Sequence, residues 1–246
     1  MRRTGRIRTS AVMVLLAAGG AVAGAPAQAQ GTVPTCAGKR ATIVDPSKGN
    51  DRIVGTSRRD VIVAGRGKGR DVVLGLDGDD LVCGDARTRV LGGRGDDTVY
   101  GAGSADGGKG ADRLHGVGTA RGGKGADSYW APMGTGSFDG GAGYDRIVFY
   151  EGYVPGATSG VYVNLALGLA SAEAEVGSLR MRTALAGIEE VRGTPDDDLV
   201  LGDALDNVLR GGDGNDVLNG RAGSDTVVGG RGKDTCTGEL RGGCEQ

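Results

Sequence analysis

Residues 92–100 read GGRGDDTVY, and the phrase returns as GGKGADRLH at 107–115, GGKGADSYW at 122–130, GGAGYDRIV at 140–148 and GGDGNDVLN at 211–219. The common form is GGxGxDxUx, with U apolar. Looser copies extend it outward: KGNDRIV at 48–54, GTSRRDVIV at 55–63, GLDGDDLVC at 75–83, GTPDDDLVL at 193–201, GRAGSDTVV at 220–228 and GGRGKDTCT at 229–237. A fixed short period marks a repeat architecture, in which each unit buries its apolar side only against its neighbours.

Each nonapeptide divides into a six-residue turn and a three-residue strand. Glycines permit positive φ, which frees turn carbonyls to point at an ion, and the sixth-position aspartate adds a charged oxygen. Calcium takes about six to eight oxygen ligands, which carbonyls and carboxylates of two stacked turns can supply. The eighth residue points inward and predicts a thin core of Ile53, Ile62, Val73, Val82, Val99, Leu114, Tyr129, Ile147, Val200, Leu209, Leu218 and Val227. Stacked aspartates repel one another, so metal binding and folding are expected to be coupled.

On these motifs the chain resembles the hemolysin-type, or RTX, calcium-binding repeat family over residues 46–148 and 193–237. The resemblance implies an all-β, right-handed parallel β-roll from an exported bacterial protein. Each turn packs on the turn two repeats later, with calcium between them.

Sorting the turns by face makes the first block one-sided. One face keeps its ligand throughout, at Asp60, Asp80, Asp97, Asp112, Asp127 and Asp145. The other carries AGRGKGRD at 64–71, then GDART with Arg89 where a carboxylate belongs, then three-residue turns at 101–103 and 116–118, then APMGTG. That face is expected not to bind. Asp97, Asp112 and Asp127 recur every 15 residues instead of 18, as when one turn per coil shrinks, and Ala105 and Ala120 are expected inside the narrowed coil. In the second block both faces carry ligands, Asp198, Asp216 and Asp234 on one and Asn207 and Asp225 on the other, with Asn207 weaker for want of charge.

Several segments frame the repeats. Residues 1–29 read as an export signal: Arg2, Arg3, Arg6 and Arg8, an apolar run over 11–25, and Ala27-Gln28-Ala29 as a cleavage site. Removing those arginines leaves 25 basic against 31 acidic residues, which disfavours a nucleic-acid surface. No membrane span is expected after cleavage. Residues 30–45 form an N-terminal cap, 46–148 the first block, 149–192 an irregular insertion, 193–237 the second block and 238–246 a C-terminal cap. Four cysteines in an exported chain favour two disulfides; three pairings are possible, and Cys36 with Cys83 and Cys236 with Cys244 would hold both ends. In the insertion, residues 161–165 alternate as a strand, 188–192 resemble a strand leading into new repeats, and the stretch around Glu173 and Glu175 is a brief helix or an exposed loop.

Little supports an enzyme. His115, the sole histidine, sits at an outward ninth position without a nucleophile in its repeat. The carboxylates of Asp196, Asp197 and Asp198 lie within a repeat turn, and Tyr129 with Trp130 reads as packing more readily than as a carbohydrate platform. The expectation is a secreted, extracellular calcium-binding module with a structural, adhesive or matrix role and a cell-envelope or matrix partner. The alternative is the repeat portion of an exported RTX toxin or hydrolase.

Overall fold

The computed structural model describes residues 33–45, 47–65, 67–131, 135–149, 160–173 and 180–244. Residues 1–29, expected from sequence to be an export signal, lie outside them. A three-residue strand with one inward apolar side chain is stable only when stacked. Thr98–Tyr100, Arg113–His115 and Ser128–Trp130 pair in parallel and in register, so that Leu114 lies between Val99 and Tyr129.

Outside the insertion, successive strands of the stack alternate between two sheets, of 11 and 12 strands among the described residues. The first sheet runs from Ile43–Val44 to Leu240–Gly242 and the second from Arg52–Val54 to Thr235–Thr237. All twelve expected core residues are buried between the sheets, and the second sheet adds Val90, Phe138 and Val163. Ala105 and Ala120 lie inside, as the shortened turns require. Among the described residues no helix is long and apolar enough to cross a membrane.

The insertion does not interrupt the stack. Tyr162–Asn164, Leu169–Glu173 and Arg180–Ala186 all join the second sheet, the middle strand antiparallel to both neighbours. Gly136–Ala142 continues into Arg180–Ala186, and Tyr162–Asn164 into Leu199–Leu201. The first sheet steps directly from Arg146–Val148 to Glu190–Arg192 and on to Val208–Asp213. Glu173 therefore ends a strand, not a helix or loop, because Ala170 and Leu185 complete the core here; Glu175 lies outside the described residues. Across the same seam Glu190 accepts from Arg192 at 2.7 Å and Arg210 at 3.3 Å, with Arg146 at 3.8 Å.

Both ends are tied. At the N-terminal end the hairpin of Thr35–Cys36 and Lys39–Arg40 is joined to the stack by the Cys36–Cys83 disulfide, and Cys236–Cys244 closes the other end. Both bridges are those expected from sequence.

Candidate metal-binding turns

Parallel stacking brings the sixth-position residues into two columns. The first runs Asp60, Asp80, Asp97, Asp112, Asp127 and Asp145, then continues through Glu189 to Asn207 and Asp225. From Asp80 to Asp145 each backbone N–H donates to a carboxyl oxygen one coil on: Asp80 to Asp97 at 2.9 Å, Asp97 to Asp112, Asp112 to Asp127 and Asp127 to Asp145 at 2.8 Å, and Asp145 to Glu189 at 2.7 Å; the Glu189 N–H turns back to the Asp145 carbonyl. Asn207 donates to Asp225 at 2.9 Å. In the second column Asp198 donates to Asp216, and Asp216 to Asp234, both at 2.9 Å. These bonds use one oxygen of each carboxyl.

The other oxygen, Oδ2, is buried without a hydrogen-bond partner at Asp80, Asp97, Asp112, Asp127, Asp216 and Asp234. An unpartnered buried acceptor costs about 1–3 kcal/mol, so a regular row of them calls for a ligand. The surroundings fit a hard cation. A Cβ at Gly75 would stand 2.5 Å from Asp80 Oδ2 and 2.4 Å from the Gly92 carbonyl; one at Gly92 would meet Asp97 Oδ2 at 2.3 Å and the Gly107 carbonyl at 2.5 Å. No carbon fits there, whereas calcium–oxygen distances are about 2.3–2.6 Å.

The backbone divides the eleven expected ligands into two kinds of turn. In eight, the second and fourth residues both have positive φ: Leu76 and Gly78 before Asp80, Gly93 and Gly95 before Asp97, and likewise before Asp112, Asp127, Asp145, Asp216, Asp225 and Asp234. These are open turns, and all six unpartnered oxygens belong to them. The turns before Asp60, Asp198 and Asn207 have no positive φ. There the second residue reaches the sixth: the N–H of Thr56 donates to Asp60 Oδ2 at 2.7 Å, that of Thr194 to Asp198 Oδ2 at 2.7 Å, and that of Asp203 to Asn207 Oδ1 at 2.9 Å.

Burial dominates the electrostatics of the columns. It pushes the Asp80 carboxyl up to about 6, Asp97 to about 7 and Asp112 to about 8. The N–H from the preceding coil pulls each back down, and the charges of column neighbours add to the rise. Asp216 is raised to about 7 for the same reasons. Burial also lifts Asp198 to about 6, against its hydrogen bonds from Thr194 and Val161.

The second face, expected not to bind, departs from expectation in two places. Arg89 does not stand in the carboxylate column: it pairs with Val72 as the first strand residue and is exposed, while buried Thr88 occupies the column position opposite Asp71. The five-residue turn 84–88 shifts the register by one. Gly103 and Gly118 follow Thr88, each preceding the first residue of its strand, so the column position in the middle of this face offers no carboxylate, and that of Asp85 within the 84–88 turn is taken by the Arg87 N–H and the Thr88 hydroxyl. At its N-terminal end, however, carboxylate oxygens of Asp45, Asp51 and Asp71 lie within 4.8 Å of one another. These are held by Ser47 and by the N–H groups of Asp51 and Gly65.

The rings singled out from the sequence, Tyr129, Trp130 and His115, are each stacked on a neighbour. Tyr129 stacks on Phe138 at 4.7 Å and donates its hydroxyl to the Val117 carbonyl at 2.7 Å. On the outer face of the first sheet His115 is stacked between Tyr100 and Trp130, at 4.5 and 4.1 Å, and burial lowers its pKa to about 4.

The profile of the RTX calcium-binding nonapeptide repeat matches the chain in four copies, at residues 47–68, 67–86, 88–106 and 201–236. Among curated proteins no match is found.

Proposed function

We propose, from the premise that the chain carries RTX calcium-binding nonapeptide repeats, that it is an exported module whose stack consolidates on calcium and presents a stable, calcium-dependent surface in a structural, adhesive or matrix role. The observation that carries this reading is the row of buried, unpartnered carboxylate oxygens at Asp80, Asp97, Asp112, Asp127, Asp216 and Asp234. Calcium, when bound, supplies the positive charge that such a row lacks. The chain's own residues do the rest: the column N–H groups fix one oxygen of each carboxyl, and the positive-φ residues open the turn beside the other. With the rings of His115, Tyr129 and Trp130 engaged in stacking, binding is the activity that the described residues support best, rather than catalysis.

Far-UV circular dichroism of the chelator-treated chain, titrated with calcium and separately with magnesium, tests the reading. A cooperative gain of β signal with calcium alone is expected. A spectrum already complete in chelator would reduce calcium to an accessory of a stack held by core and disulfides.

A further inference from the structure

The two kinds of turn differ in the residue at their second position, and that residue carries an inference beyond the presence of calcium sites. In the turn before Asp60 the Thr56 hydroxyl accepts the N–H of Arg58 at 3.2 Å and donates to Asp60 at 2.9 Å. The turn before Asp198 repeats this arrangement, with Thr194 accepting from Asp196 at 3.1 Å and donating to Asp198 at 2.9 Å. Before Asn207 the carboxylate of Asp203 accepts from Leu205 at 2.8 Å. In all three, a side-chain oxygen at position two takes the N–H of position four, while the N–H of position two goes to position six.

We propose that Thr56, Thr194 and Asp203 seal their turns from within, so that Asp60, Asp198 and Asn207 join coils without metal and calcium binding is confined to the open turns. The inference rests on the calcium reading above and narrows it to particular turns.

Chemistry supports the division. An N–H directed at a carboxylate oxygen presents its positive end where a cation would otherwise stand, and admitting a cation would break that bond and leave the donor unpaired. The single amide among the eleven residues, Asn207, lies in a sealed turn: its Oδ1 takes the Asp203 N–H, and its Nδ2, buried without an acceptor, is a donor that no cation could replace. The six unpartnered oxygens all belong to aspartates of open turns. The sealed turns also stand first: Asp60 heads its column, and the turns of Asp198 and Asn207 open the second block. Each run of open turns is therefore preceded by a coil that closes without an ion.

Calcium bound per chain, measured by equilibrium dialysis on the full chain and on the Asp112→Asn and Asp198→Asn variants, tests the proposal. Asparagine keeps an acceptor for the column N–H, and circular dichroism in saturating calcium confirms that each variant folds. Asp112→Asn is expected to lose at least one bound calcium, and Asp198→Asn none. An equal loss in both variants overturns the division of the turns while leaving the calcium reading intact. No calcium bound by the unsubstituted chain overturns that reading and the division with it. Asp60→Asn repeats the comparison in the other column, should Asp198→Asn fail to fold, and is likewise expected to keep the full count.

Discussion

The backbone N–H of Asp97 donates to Oδ1 of Asp112 at 2.8 Å, and Oδ2 of the same carboxyl is buried with no partner. One oxygen thus joins coils, and on the calcium reading proposed above the other is the one that would meet a cation. Replacing Asp112 by Asn keeps the first role and removes the second. The calcium-saturated melting temperature is expected to fall by roughly 4–8 °C, the equivalent of about 2 kcal/mol for a chain of this size. In chelator the shift should be less than half as large. Equal shifts under both conditions, by scanning calorimetry, would make the carboxylate purely structural.

Without calcium, acidity should stabilise the stack. In the fold, burial raises the carboxyls of Asp80, Asp97, Asp112 and Asp216 to about 6 to 8, against about 3.9 for an ordinary aspartate. The folded chain therefore holds protons more tightly than the unfolded one, and stability must decline as pH rises. The decline should begin near 4 and continue through about 8, as each carboxyl is forced to ionise where it is buried. Urea midpoints in chelator at pH 4.5, 6 and 8 check this; a midpoint that rises with pH would refute it. Saturating calcium should flatten or reverse the trend, because ligation favours the ionised form.

Leu114 is fully buried between Val99 and Tyr129 in the core between the two sheets. Truncation to Ala leaves a void that rigid neighbours in register cannot fill. A loss of about 2–5 kcal/mol is expected, seen as a lower urea midpoint in both calcium and chelator. A loss confined to chelator would mean that the coils tighten around the void once calcium is bound.

Glu190 ties the strands on either side of the insertion through Arg146, Arg192 and Arg210. Its side chain is only 7 % exposed, but those of the arginines are 28–47 % exposed, so much of the Coulomb energy is screened. Glu190→Gln is expected to cost about 1–2 kcal/mol. Limited proteolysis should then cut first within residues 149–192. Unchanged cleavage kinetics would show that backbone pairing alone holds the seam.

Much of this arrangement is legible in the repeat. Once each coil contributes an apolar eighth residue and an acidic sixth, stacking leaves them nowhere to go but the core and the columns, which is why Leu209 and Asp216 could be placed from sequence. Where the period changes, reading fails. Asp80 and Asp97 are 17 residues apart, and the same step from Asp71 leads to Thr88; that spacing would have corrected the placement of Arg89. Glu189 was missed because it ends a short Gly187-Ile188-Glu189 link within the aperiodic segment, and only three-dimensional pairing carries the column across it. The distinction between Gly93 and Thr56 was visible all along, but its meaning depends on where an N–H points.

The column also has a collective property. Its carboxylates recur once per coil, about 4.8 Å apart as adjacent strands must be. That is shorter than the roughly 7 Å at which two unit charges in water interact with thermal energy. A fully ionised column is therefore a line charge, of the kind on which mobile counterions condense, as they do along a nucleic-acid backbone. Sodium and potassium will crowd it before calcium arrives, so calcium uptake is an exchange of ions, and its apparent affinity will carry the ionic strength of the medium as a power law.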